Sequence, residues 1–137
     1  MAKNTITLKT KENIEVISLL DFKYDFNEIL NRIIFRIVVN YKIFNAETII
    51  EAEEYDFIDL QKNLSEMYHF NLNNCVFSPI DGHLVIKFHL LETGNIEIKM
   101  KLWDVLFTGE LSIEFMSDIT FLPDIIKSID NVLLQKE

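Results

Sequence analysis

Residues 83–115, HLVIKFHLLETGNIEIKMKLWDVLFTGELSIEF, carry the pattern that decides the fold class. Leu84, Ile86, Phe88 and Leu90 alternate with His83, Val85, Lys87 and His89. Ile96, Ile98, Met100 and Leu102 then alternate with Glu97, Lys99, Lys101 and Trp103, and beyond Gly109 the residues Leu111, Ile113 and Phe115 oppose Glu110, Ser112 and Glu114. Successive side chains leave a strand on opposite sides, so each run has one apolar and one polar face, which predicts a three-stranded antiparallel meander. Both apolar sets of the first two strands must land on one face, and pairing Leu90 with Ile96, Phe88 with Ile98 and Ile86 with Met100 achieves this. That register leaves Glu92, Thr93 and Gly94 as a three-residue loop whose last position takes the left-handed backbone that glycine adopts with least strain. It also sets Lys87 opposite Lys99, an unfavourable pair unless Glu97 or Glu114 relieves it.

Working outward, Ile33, Phe35, Ile37, Val39, Tyr41 and Ile43 alternate with Arg32, Ile34, Arg36, Val38, Asn40 and Lys42, a long strand whose partly apolar second face suits a central position. Ile6 and Leu8, then Ile14 and Val16, predict a hairpin around Lys11 and Glu12, and Thr48 to Glu53 a further strand, whereas Asp21 to Leu30 fits neither period. Phe57, Leu60, Leu64, Met67 and Tyr68 recur at helical spacing behind Asp56, which suits the N-terminal end of a helix dipole. A second helix is predicted by Phe121, Leu122, Ile125, Ile126, Ile129, Val132 and Leu133, with Pro123 in the first turn and Asp118 or Thr120 as cap. The order predicts an α+β fold, an antiparallel sheet with a C-terminal three-stranded meander packed against two helices. The second helix is expected over the apolar face of the meander, burying Phe88, Ile98, Ile113, Ile125 and Ile129 together.

Apolar residues form 49% of the 137, enough to offset chain entropy, and nothing rich in Gly, Pro or Ser marks a boundary, so residues 1–137 read as a single domain. No apolar stretch reaches about 18 residues without a charge, which excludes a membrane-spanning helix. Acids exceed bases by 22 to 13, and a net charge of -9 repels phosphates unless a basic patch is segregated, so direct nucleic-acid binding is not expected. The lone Cys75 and a Met1-Ala2-Lys3-Asn4 start without an apolar run predict a reducing cytoplasm.

The chain contains no GxxxxGK[ST], GxGxxG, HExxH, CxxC or GxSxG, and no cofactor is expected. His83 and His89, six residues apart on one strand, are separated by roughly 20 Å and cannot share a metal. His69 favours the C-terminal end of the first helix, Cys75 reads as a buried filler, and Pro79-Ile80-Asp81-Gly82 as a turn. No catalytic constellation and no metal site emerge, and the expectation is a protein that is not an enzyme. What remains is the acidic stretch Glu51, Glu53, Glu54, Asp56 and Asp59, free of any interleaved base. It reads either as a solvated strand end and helix start or as a surface that steers a basic partner.

Phe77-Ser78-Pro79, a strand, Gly94, a second strand, Gly109-Glu110-Leu111-Ser112-Ile113-Glu114-Phe115, and Asp118-Ile119-Thr120-Phe121-Leu122 before a terminal helix together resemble the WapI-type immunity proteins of Gram-positive bacteria. The resemblance spans roughly residues 56 to 134. Ile119 stands where that family favours glutamine, and Asn31-Arg32-Ile33 is the nearest match to its Asn-Trp-Leu element. It implies a cytoplasmic protein that binds and occludes a cognate toxin domain, such as a basic nuclease, with the acidic stretch as partner surface and no catalysis of its own. The second reading is a non-catalytic adaptor or assembly domain, homodimeric through the meander edge. The third is a small-molecule-binding or enzymatic β-rich domain, which requires a deep pocket of convergent polar groups.

Overall fold

The computed structural model describes residues 4–26, 29 and 31–135. Its elements run β1 (Ile6–Lys9), β2 (Glu15–Phe26), β3 (Asn31–Tyr41), β4 (Phe44–Glu53), α1 (Glu54–Tyr68), β5 (Asn74–Phe77), β6 (Leu84–Leu90), β7 (Asn95–Trp103), β8 (Glu110–Asp118), a 3-10 turn (Ile119–Phe121) and α2 (Leu122–Leu134). The chain is α+β, as its pattern predicts, but it builds two antiparallel four-stranded sheets where one was expected. Sheet A has the order β1-β2-β3-β4 and sheet B the order β5-β6-β7-β8. The meander is β6-β7-β8, extended to four strands by β5, whose Cys75 and Phe77 face inward. Four residues give too few alternations for a strand to be read from sequence.

The register deduced for β6 and β7 holds at every position, with Leu90 opposite Ile96 and Lys87 opposite Lys99. Gly94 closes the loop at φ +90°, its N–H donating to the Leu91 carbonyl at 3.0 Å. In sheet A, β3 is central, yet it ends at Tyr41 because Lys42, at φ +59°, turns the chain and leaves Ile43 85% exposed at the tip. β4 starts at Phe44, four residues before the expected Thr48, because it pairs with β3 along its whole length. β2 runs on to Phe26 through a bulge at Asp21, φ +55°, which breaks the alternation and made this segment illegible. Of the ambiguous Asp21 to Leu30 segment, Asn27, Glu28 and Leu30 lie outside the described residues, as do Met1 to Lys3 of the N-terminal start.

The inward residues of both sheets and both helices form one buried cluster that includes Phe88, Ile98, Ile113, Ile125 and Ile129. Its centre is aromatic: Phe35 of β3, Phe57 of α1 and Phe77 of β5 pack with centroids 5.1 to 6.5 Å apart, joining both sheets through α1. Edge-on and tilted rings at these separations contribute beyond their area burial. α2 does not lie chiefly over the meander. It runs beside α1 and the β1 edge of sheet A, and its Val132 carbonyl accepts a 2.6 Å hydrogen bond from Tyr24 Oη of β2. Pro123 sits in its first turn, and Asp118 caps the preceding 3-10 turn by accepting from the Thr120 N–H at 2.9 Å. No helix among the described residues is long and apolar enough to cross a membrane.

Candidate nucleic-acid interface

With their apolar sides buried, each sheet turns its alternate residues outward, and the two outer faces differ. On sheet A both arginines are matched, while Lys23 of β2 is exposed with no carboxylate pair among the described residues. Arg36 lies between Asp21, at 2.9 Å, and Glu47, and these two carboxylates raise the guanidinium pKa further above its ordinary value, the Glu47 hydrogen bond most. Arg32 pairs with Glu51 at 3.1 Å. On sheet B, Lys87, Lys99 and Lys101 are exposed and contiguous, Lys87 directly across from Lys99 and Lys101 two residues further along β7. These neighbours are spaced about 5 Å across the strands and about 7 Å along them. Lys99 meets Glu97 at 3.5 Å and faces Glu114 across β8. Among the described residues no carboxylate pairs with Lys87 or Lys101.

Aromatic and apolar groups adjoin the lysines. Val76 of β5, opposite Lys87, is 53% exposed. A shallow hollow beside it is lined by Asn74, Val76, Lys87, His89, Glu97 and Lys99, among others, and His89 Nδ1 lies 2.8 Å from Asn74 Oδ1. At the other end of the face Trp103 is half-buried, and its N–H donates to the His83 carbonyl at 2.9 Å. The His83 ring stacks on Phe107 with centroids 4.1 Å apart and planes at 20°. The β7–β8 loop that presents Phe107 is organised by Asp104, whose carboxylate accepts from the Thr108 hydroxyl at 2.7 Å, the Thr108 N–H at 2.8 Å and the Gly109 N–H at 3.1 Å. These bonds, the Thr108 side chain's first, hold the Asp104 pKa below the usual carboxylate range. The result is a face with Lys87 and Lys101 unpaired in its middle, Glu97, Glu110 and Glu114 beside them, and exposed ring surface at one end.

The residues singled out from sequence lie elsewhere. Glu51 bonds Arg32 through its side chain, while its N–H donates to Asp81 Oδ2 at 3.0 Å. Glu53 is the N-cap of α1 and Asp56 its reciprocal partner, accepting from the Glu53 N–H at 2.9 Å. Partial burial, with Glu53, Asp59 and Asp81 nearby, raises the Asp56 pKa although that backbone bond lowers it. Glu54 sits in the first helical turn, and Asp59 is exposed. The stretch therefore builds a strand end and a helix start, and Asp59 is its most solvent-facing member. Cys75 is buried on β5, where desolvation pushes its thiol up to about 11. His69 is the C-cap of α1. Sequence reasoning met Lys87 and Lys99 only as an unfavourable pair; the register that placed them side by side was the available signal for a basic face.

No family model and no curated protein matches the chain. Solved structures share its fold. The structure of the plant transcriptional regulator PBF-2 aligns with a TM-score of 0.52 at 8% identity, covering 97% of this chain and 88% of that one. Trypanosoma MRP1/MRP2 align at 0.51 and 6% identity over 96% of this chain and 83% of that one, and WHY3 from Arabidopsis thaliana at 0.50 and 10% identity over 97% and 86%. At such identities the likeness is one of fold. It overturns the immunity reading, the toxin as partner and toxin neutralisation as function, because the architecture covering nearly the whole chain is one found in a transcriptional regulator. The exclusion of direct nucleic-acid contact falls too. Its physical basis was the total charge of -9, and a total says nothing of where the cations lie.

Proposed function

We propose that this protein binds single-stranded nucleic acid across the outer face of sheet B. The observation that carries the reading is Lys87, Lys99 and Lys101 standing contiguous on that face, two of them without an acidic partner, in a chain that otherwise has carboxylates to spare. The fold likeness to a transcriptional regulator supports the same class of ligand. A duplex is read by an element narrow enough to enter a groove, whereas a broad sheet face meets unpaired bases flat. Lysines then hold the phosphates, and Trp103 with Phe107 offers ring surface on which bases stack, each worth about 1–3 kcal/mol. Such a site needs no catalytic group and no cofactor. Attraction that rests on so few cations is weak at high salt.

Fluorescence anisotropy with short labelled DNA and RNA oligonucleotides, single-stranded and duplex, tests this. Single strands should bind more tightly than duplex, with a log–log salt slope of about 2 for three cations. Lys87→Glu with Lys101→Glu should weaken binding by about tenfold or more. Failure of the wild type to bind either single strand at low salt overturns the proposal.

A further inference from the structure

The outer edge of β4 is open where it borders sheet B. The hairpin at Lys42 and Ile43 closes with Tyr41 opposite Phe44, so the backbones of Asn45, Glu47, Ile49, Glu51 and Glu53 point away from β3. The Glu51 N–H is taken by Asp81 and the Glu53 N–H by Asp56. Those of Asn45, Glu47 and Ile49 have no such partner among the described residues and face a cleft. Two adjoining cavities of about 320 and 350 Å³, sharing Thr48, Trp103 and Val105, form it along β4 against the ends of β7 and β8. Asp81 ends the open edge on one side and the Lys42 hairpin ends it on the other, leaving about 13 Å of strand.

The geometry points to strand addition: an extended peptide segment of a partner protein, alternating basic and apolar residues, pairs with Asn45 to Ile49 as a fifth strand of sheet A. Charge selects the occupant. Glu47, Glu51, Asp81, Asp104 and Glu110 line the cleft, the first two also held by Arg36 and Arg32, and among the described residues no lysine or arginine lines it. Side chains of an added strand would alternate between the outer face, beside Glu47, Ile49 and Glu51, and the inner side, against Ala46, Thr48, Leu102 and Trp103. Basic residues fit the first and aliphatic ones the second. Phosphates are repelled by the same carboxylates. A second copy would set the glutamates of β4 against their own symmetry mates, which like-charge pairing disfavours. The edge lies on sheet A and the lysines on sheet B, and the two sites meet at Trp103 and His83, so the backbone pairing proposed here is tested separately from nucleic-acid binding.

The probe is an acetylated, amidated peptide of alternating lysine and valine, titrated onto the full chain by calorimetry with amide exchange read by NMR. Binding should slow exchange at Asn45, Glu47 and Ile49, and it should fall about tenfold or more when alternate peptide amides are N-methylated. Ile49→Pro removes an outward N–H without touching the β3 ladder, and should weaken binding similarly. Lys87→Glu should leave it unchanged. Equal binding of the N-methylated peptide shows mere charge attraction and overturns the inference. So does an absence of binding, or a chain that dimerises and loses the dimer with Ile49→Pro. The N-methylated control on wild type decides the question even where Ile49→Pro fails to fold.

Discussion

The two sheets are built by the same rule and finished differently. Both bury every second residue in one core, and both turn cations to solvent on a central strand. On sheet A each arginine is held by carboxylates, Arg36 by two of them. On sheet B Lys87 faces Lys99 rather than an acid. Exposed ion pairs contribute only about 0–1 kcal/mol, so sheet A gains little stability from its matching and sheet B loses little by going without. The difference therefore shows in what each face attracts. A net charge of -9 does not say which cations go unpaired.

The largest expected effect tests whether the two sheets share one core. Phe88→Ala in sheet B and Phe35→Ala in sheet A, both buried, should each cost about 3–5 kcal/mol. Each should lower a single denaturation midpoint, followed by tryptophan fluorescence and by circular dichroism. Two separate transitions would break the comparison by making the sheets independent.

Next comes the contrast between the faces. Lys87→Glu with Lys101→Glu should weaken single-strand binding by about tenfold or more, while Arg36→Ala should leave it within about twofold, because Arg36 is already held by Asp21 and Glu47. Equal losses in anisotropy titrations would show that both faces bind.

The hairpins sharpen the comparison at smaller scale. Sheet B reverses at Gly94, φ +90°, where an added Cβ would meet only Ile119 Cγ2 at an ordinary 3.5 Å. Conformation rather than space is the obstacle, and Gly94→Val should destabilise by about 1–2 kcal/mol. Sheet A reverses through Lys42 at φ +59°, and Lys42→Gly should stabilise by up to about 1 kcal/mol, less what glycine adds to unfolded-chain entropy. Urea titrations of both variants check the opposite signs.

The smallest effect concerns Asp56, whose folded-state pKa is raised, chiefly by partial burial and then by Glu53, Asp59 and Asp81. A raised carboxyl binds more protons folded than unfolded, so its contribution is most favourable below the unfolded value and is lost as pH rises through the folded one. Asp56→Asn keeps an acceptor for the Glu53 N–H and removes the repulsion. It should stabilise at neutral pH by no more than about 0.5 kcal/mol, since the carboxyl still partly faces water, and the gain should vanish in acid. Thermal midpoints at both pH values measure it.

The alternation of residues 83–115 was enough to set the inward residues, the β6–β7 register and the loop at Gly94, because a period of two and a face to bury leave one solution. Helical spacing likewise located α1 and α2. Which strands share a sheet was not legible: alternation is local, whereas partition into two sheets depends on burial between distant segments, such as β5 beside β6. The acidic stretch was conspicuous because its residues are consecutive, yet folding engages Glu51, Glu53 and Asp56 in pairing and capping. The lysine face was inconspicuous because Lys87, Lys99 and Lys101 lie on two strands and meet only across a ladder. Sequence alone determined which residues face outward; the tertiary structure decided which outward charges find partners, since pairing depends on distances of a few ångströms that composition averages away.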